Sequence, residues 1–188
     1  MKFYFSFFFH ICRTAIFIFI LIPFETFAGS YEYMLANGLK MIIKEDHRSP
    51  VVVSQIWYKA GSIDELNGTT GVAHVLEHMM FKGTKNVDKG DFSKKIAAVG
   101  GRDNAFTSRD FTGYFQQLHK SDLALAMKLE ADRMRNLVLT QEEFAKEIKV
   151  VMEERRLRTD DRPHALLYEK LMSVAYQSHP YRRPIVGW

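Results

Sequence analysis

The sequence predicts an α+β domain in which antiparallel strands are packed by helices, and three observations point there. Between Tyr31 and Tyr58, apolar and β-branched runs are separated by turn residues. The first two runs flank Asn37-Gly38, a hairpin signal. Beyond residue 70 the apolar positions recur at helical spacing instead. At 188 residues, 47% hydrophobic and 13% aromatic, the chain can bury a core and does not have the composition of a disordered segment. Its 26 basic and 22 acidic residues are mixed along the chain rather than gathered in a block, so no nucleic-acid partner is expected.

Residues 1–28 read as a segment apart. Lys2, His10 and Arg13 precede the apolar run "TAIFIFILIPF", and Thr26 and Ala28 occupy the small-residue positions of a signal-peptidase site. An apolar core of about ten residues is short of the roughly 20 that span a bilayer as a helix. The expectation is a signal peptide over 1–28, cleaved after Ala28, and a periplasmic domain over 29–188; the alternative is an uncleaved anchor in the inner membrane. Cys12, the one cysteine, lies in this segment, so the mature chain must be stabilised by packing or by a metal rather than by a disulfide.

The strands are expected at "YEYML", "LKMIIKED" and "VVVSQIWYKAGS", sharing one sheet, the last of them buried. A first helix carries Val72, Val75, Leu76 and Met79, with Thr69 or Thr70 as N-cap and Gly83 as its stop. A second, over about 88–99, is capped by Asp88 and buries Phe92, Ile96 and Val99. Extended chain follows through "RDNAFTSRDFTGYFQQL", with a break at 108–110. A third helix covers 121–136, and a fourth opens on the capping box Thr140-Gln141-Glu142-Glu143. "DDRP" ends it, and "HALLYEKLMSVAYQ" forms a fifth.

The stretch "GVAHVLEHMMFKG", residues 71–83, carries the chemistry. On a helix, residues three or four apart lie about 60° or 40° apart in azimuth, so His74, Glu77 and His78 project from one side. Two imidazoles so placed can hold one zinc ion, which then needs a third ligand and a base to take a proton from water. Glu77 is the natural base. A pair of histidines four apart often has no such role, but the apolar neighbours Val75, Leu76, Met79 and Met80 bury this helix, and buried polar groups must be satisfied. The third ligand is sought on the fourth helix among Glu147, Glu153 and Glu154. Glu147 and Glu154 are seven apart and share a face around Val150 and Val151, while Glu153 points about 100° away. Glu143 and Glu153 suit surface pairing with nearby lysines and arginines. His47, His119, His164 and His179 read as surface or packing residues, and Arg155, Arg156 and Arg158 as a solvated helix end.

His74-x-x-Glu77-His78 is the inverted zinc motif. With "LANGLKMIIKEDHRSPVVVSQIWYKAGSIDE", "GGRDNAFTSRDFTGYF", "EIKVVMEERRLRTDD" and "HPYRRPIVGW", it makes the chain after residue 28 resemble the amino-terminal part of the insulinase/pitrilysin family of zinc metallopeptidases, particularly bacterial members similar to mitochondrial processing peptidase. The resemblance implies that His74, His78 and Glu154 bind Zn2+ and that Glu77 activates the attacking water. It makes Glu147 a carboxylate that orients the site or shuttles a proton. Asn104, Ala105 and Phe106 would pair with an extended peptide or unfolded protein by strand addition. Family members join two similar domains, or two chains, into a clamshell. The later strands and a substrate-holding Arg/Tyr pair are not found before Trp188, so the expected domain is truncated at its C-terminal side. Three readings follow: a zinc metalloendopeptidase, a zinc-binding fragment that does not cleave, and a non-catalytic subunit needing a separate chain for the second half.

Overall fold

Asn37-Gly38 closes the first hairpin as the dipeptide predicts. Gly38 takes a positive φ of 84°, and the Leu39 amide donates to Asn37 Oδ1 at 3.1 Å. In the computed structural model, which describes residues 29–188, this hairpin joins β1 (Ser30–Met34) to β2 (Lys40–Lys44), with Ser30 opposite Lys44. It belongs to a unit ending at Ser49, and a second unit runs from Pro50 to Trp188. The signal peptide expected over 1–28 lies outside the described residues.

The second unit holds an antiparallel sheet of β3 (Val51–Tyr58), β4 (Arg102–Thr107) and β5 (Thr112–His119), in the order β3-β5-β4. Thr107 stands opposite Thr112 across a turn in which the Ser108 amide donates to Phe111 O at 2.8 Å. Two expectations need correction. The early strands do not share one sheet: β1 and β2 pair with each other, and β3 pairs with β5. Nor is β3 the buried strand. It alternates half-buried and exposed residues, whereas β5, central in the sheet and flanked on both sides, is buried over most of its length.

Helices cover one face. Phe92 and Ile96 of α2 (Asp91–Ala98), Leu118 of β5, and Ala126 and Leu129 of α3 (Leu123–Asn136) form one apolar cluster, with Val99 packed against it. A second cluster joins Val75 and Met79 of α1 (Val72–Met79) to Val151 of α4 (Gln141–Arg155). Thr140 caps α4, its hydroxyl accepting from the Glu143 amide at 3.2 Å as the capping box predicts. Past Arg155 the helix widens into a π turn, Arg156–Asp160, before Pro163 starts α5 (Pro163–Ala175) in the first-turn position that proline favours.

The caps of α1 and α2 differ from expectation. Gly90, not Asp88, precedes the first residue of α2, and Asp88 instead accepts from the Asp91 amide through its carbonyl, at 3.0 Å. The first turn of α1 is capped by Glu65 from the preceding loop, whose carboxylate accepts from the amides of Gly71 (2.8 Å) and Ala73 (2.9 Å). Gly71 is the N-cap residue at a φ of 86°, where a Cβ would lie 2.6 Å from Val186 O, and the threonine hydroxyls are engaged elsewhere: Thr69 donates to Leu66 O at 3.4 Å and Thr70 accepts from the Trp188 amide at 3.0 Å.

Arg133, 1% exposed, is the largest fully buried side chain among the described residues. Its guanidinium pairs with Glu130 at 2.5 Å and lies over the rings of Phe92 (4.4 Å) and Tyr114 (4.5 Å), while Gln116 donates to Glu130 at 3.0 Å. Removing the acid alone would strand a buried cation. Glu130→Ala should therefore cost about 3–5 kcal/mol in urea unfolding, and the double change Glu130→Leu with Arg133→Met should cost less, because it removes both charges.

Candidate metal centre

The centre is built where α1 crosses α4. His74, on the first turn of α1, is buried, and His78, one turn on, stacks edge-on to it with ring centroids 4.7 Å apart. Glu154, in the last turn of α4, brings Oε2 to 3.7 Å from His74 Nε2 and 3.4 Å from His78 Nε2. One ligand atom from each of the three residues lies within 4.8 Å of the others, the one such group of metal-ligating side chains among the described residues. These separations exceed the 2.7–3.2 Å of an N–H···O hydrogen bond, so the three groups do not satisfy one another directly. The 3.4 Å separation matches the edge of a tetrahedron around zinc, where bonds of about 2.0–2.1 Å place ligand atoms about 3.3–3.4 Å apart, and the 3.7 Å separation is slightly longer. Burial pushes the His74 imidazole below its ordinary pKa against the pull of Glu154, which favours the neutral ring a metal requires. The donor set therefore fits a zinc ion.

Around these three stand residues that aim them. His78 Nδ1 is 2.9 Å from Glu147 Oε1, and the other oxygen of Glu147 takes an ion pair from Lys82. Desolvation opposes ionisation of Glu147, but the hydrogen bonds from Lys82 and His78 outweigh it and hold the carboxyl below its usual range. Glu154 Oε1 pairs with Arg158 at 2.6 Å. Glu77, projecting beside the histidines, accepts the Thr107 hydroxyl on Oε2. Thr107 ends β4, so the strand edge and the motif helix meet at this bond.

A cleft of about 670 Å³ opens over the centre, lined by His74, Glu77, His78 and Glu154 on one side and by Asn104, Ala105 and Phe106 on another. All of the sequence-predicted site residues except Glu147 border it, and Glu147 lies behind His78. β4 is an edge strand, and the amide of Ala105 donates to its neighbour's side chain, Asn104 Oδ1, at 2.9 Å.

The comparisons with known proteins agree with this geometry. Residues 40–187 match the family described as Insulinase (Peptidase family M16). The chain belongs to the insulinase family. Among its relatives, the zinc protease PqqE of Helicobacter pylori is 40% identical over 155 residues, which are 82% of this chain and 35% of that protein. An uncharacterized zinc protease of Mycobacterium leprae is 36% identical over 163 residues, 85% of this chain and 36% of the other. The crystal structure of a protease from Helicobacter pylori superposes with a TM-score of 0.83 at 38% identity, covering 86% of this chain and 39% of that one. The chain thus spans little more than a third of the length of these insulinase-family relatives.

Four residues of the centre escape the sequence reading: Lys82, Thr107, Glu65 and Arg158. The first has a usable signal, since Lys82 follows His78 by four residues, the same step that relates His78 to His74. Of the expected solvated helix end, Arg156 and Arg158 are exposed as read, at 59% and 74% of the side chain, and Arg155 is the one that departs, being 20% exposed. Arg158 engages Glu154, and Arg155 pairs with Glu169 at 3.1 Å and donates to Gly187 O at 2.6 Å. The exposed pairing of Glu143 with Lys89 and Lys146, and of Glu153 with Arg156, is as expected. His47 is solvent-exposed, and the rings of His119 and His179 accept from the amides of Ser121 and Tyr181 at chain turns.

A carboxyl whose pKa is lowered by folding contributes stability that is complete above the ordinary glutamate value of 4.5 and is lost as pH falls through the depressed value. In thermal melts of the metal-free chain, Glu147→Gln should therefore flatten the acid limb of the stability profile while losing stability at neutral pH.

Proposed function

We propose that this chain carries the zinc centre of a metalloendopeptidase: His74, His78 and Glu154 hold Zn2+, Glu77 is the general base, and an extended peptide adds to the free edge of β4 beside Asn104, Ala105 and Phe106. The observation that carries the reading is the convergence of two imidazole Nε2 atoms on Glu154 Oε2 at 3.4 and 3.7 Å, with Glu77 on the same cleft wall. Bound zinc would supply a Lewis acid that acidifies water and polarises the scissile carbonyl. The protein's own part is proton handling and alignment. With Oε2 occupied by Thr107, Glu77 is left with Oε1 to accept the proton of the attacking water and pass it to the departing amide nitrogen. Glu147 holds the His78 ring in the tautomer whose Nδ1 carries the proton, leaving Nε2 for the metal. Main-chain pairing at the strand edge would present the scissile bond to both without demanding a particular side chain.

The names of the relatives as zinc proteases support this reading, as does family membership. Their greater length favours a second element in it: residues beyond those matched, in the same or another chain, complete the substrate chamber as a second insulinase-like domain. The export signal read over 1–28 would place the protein in the periplasm.

Zinc should bind the purified chain in one-to-one stoichiometry, and a chelator should remove it. With a quenched peptide, zinc-dependent cleavage should be lost in Glu77→Gln by about three orders of magnitude or more while zinc affinity stays within a few-fold, since the base is not a ligand. Absence of zinc binding would refute the reading; binding without cleavage would keep the centre and assign turnover to the additional length. Ala105→Pro removes the edge amide that now donates to a side chain, and proline is tolerated on edge strands. The expected result is a KM for peptide raised about tenfold, with an unaltered circular dichroism spectrum.

A further inference from the structure

Lys82 stands just past the C-terminal end of α1, in the sequence His78-Met79-Met80-Phe81-Lys82. Its amide donates to Met79 O at 3.0 Å, a tight turn that follows the helix and keeps Lys82 on the side of His78. Both side chains reach the same carboxylate on α4. His78 Nδ1 addresses Oε1 of Glu147, and Lys82 Nζ addresses Oε2. Only 18% of the Lys82 side chain and 8% of the Glu147 side chain is exposed. Lysine is rarely buried to this degree unless paired, and nothing in the zinc chemistry already described uses it.

We propose that Lys82 is a positioning residue of the centre: by fixing the plane and charge of the Glu147 carboxylate it makes Glu147 a stationary acceptor for His78 Nδ1, and so directs His78 Nε2 toward the metal. The inference rests on the zinc reading above. A carboxylate held by one imidazole alone could rotate about its last bond and offer either oxygen, or leave the ring for water. A cation on the second oxygen removes that freedom, and because it comes from the turn that ends the helix of His78, any movement of α1 carries both donors together. Lys82 touches no ligand atom; its effect passes through Glu147.

The test is a zinc titration of the full chain against a competing chromophoric chelator, with folding followed by circular dichroism. Lys82→Met should weaken zinc binding about tenfold, the scale on which partners behind a metal ligand act. Lys82→Gln should weaken it similarly, and Lys82→Arg, which restores a cation, should recover most of the loss. If Lys82→Met does not fold, the contrast between the Gln and Arg variants carries the same comparison. A Lys82 effect that does not pass through Glu147, such as its charge acting on the metal directly or a general loss of packing, would add its cost regardless of Glu147, so the decisive comparison is made in a second background: in Glu147→Gln, the further change Lys82→Met should leave zinc affinity within about threefold. Wild-type affinity in both Lys82→Met and Lys82→Gln would overturn the proposal, and so would a full tenfold loss on adding Lys82→Met to Glu147→Gln. Failure of the wild-type chain to bind zinc is a different outcome, one that removes the zinc reading itself.

Discussion

Burial of the Glu147 carboxylate between two helices is the constraint on which the rest of the centre depends. At 6% exposure it cannot be left unpaired, and both of its partners, His78 and Lys82, come from α1 and the turn that ends it. The position of α1 against α4 is thereby set by polar geometry as well as by the packing of Val75 and Met79 on Val151. The opposite end of α1 is held by a second carboxylate, Glu65, on the first amides of the helix. Gly71 allows the backbone of Val186 and Gly187 to close over that end. A short helix of eight residues is thus fixed at both ends, which is what placing two imidazoles against a carboxylate from another helix demands.

The sheet contributes through its edge rather than its centre. β5 is buried and gives the unit its core, but β4, with one side unpaired among the described residues, gives the cleft its wall. Thr107 closes the connection: it is both the last residue of the edge strand and the donor to Glu77. A peptide lying along β4 would meet a base whose orientation is set by that same strand. Edge strands are otherwise a hazard, since they invite pairing with any exposed strand, and here the Asn104 side chain occupies the Ala105 amide meanwhile.

Much of this was legible in the sequence because helical periodicity is a local property. The steps from His74 to His78 and from Glu147 to Glu154 are whole turns, so the faces they define follow from spacing alone, and the structure brings those faces together. What spacing cannot convey is which partner arrives from elsewhere in the chain. Thr107 reaches Glu77 across thirty positions, and Glu65 caps a helix whose nearer Thr69 and Thr70 look better suited. The misplacement of β3 as a buried strand has the same origin. Val51, Val53 and Trp57 have strand chemistry, but whether a strand is central depends on who lies beside it, and here β5 takes that place. The π turn after Arg155 is invisible for another reason, since its residues are ordinary helix formers.

Three carboxylates of the centre obey one arrangement. Glu77 gives Oε2 to Thr107, Glu147 gives Oε2 to Lys82, and Glu154 gives Oε1 to Arg158 at 2.6 Å. In Glu147 and Glu154 the other oxygen faces a histidine, and in Glu77 it is left for the cleft. A carboxylate with both oxygens free has two equivalent acceptors and must lose rotational freedom when it binds or reacts. Tying one oxygen beforehand moves that cost into folding, where the packing of α1 against α4 and the closure of the β4 edge already meet it. The tying group also differs in kind: a neutral hydroxyl on the residue proposed as the base, and a cation on each of the two that face histidines. A cation on Glu77 would lower its basicity, whereas a cation on Glu147 or Glu154 offsets the repulsion among carboxylates gathered within one small volume. Threonine at 107 and basic residues at 82 and 158 each suit the role proposed for the carboxylate they tie.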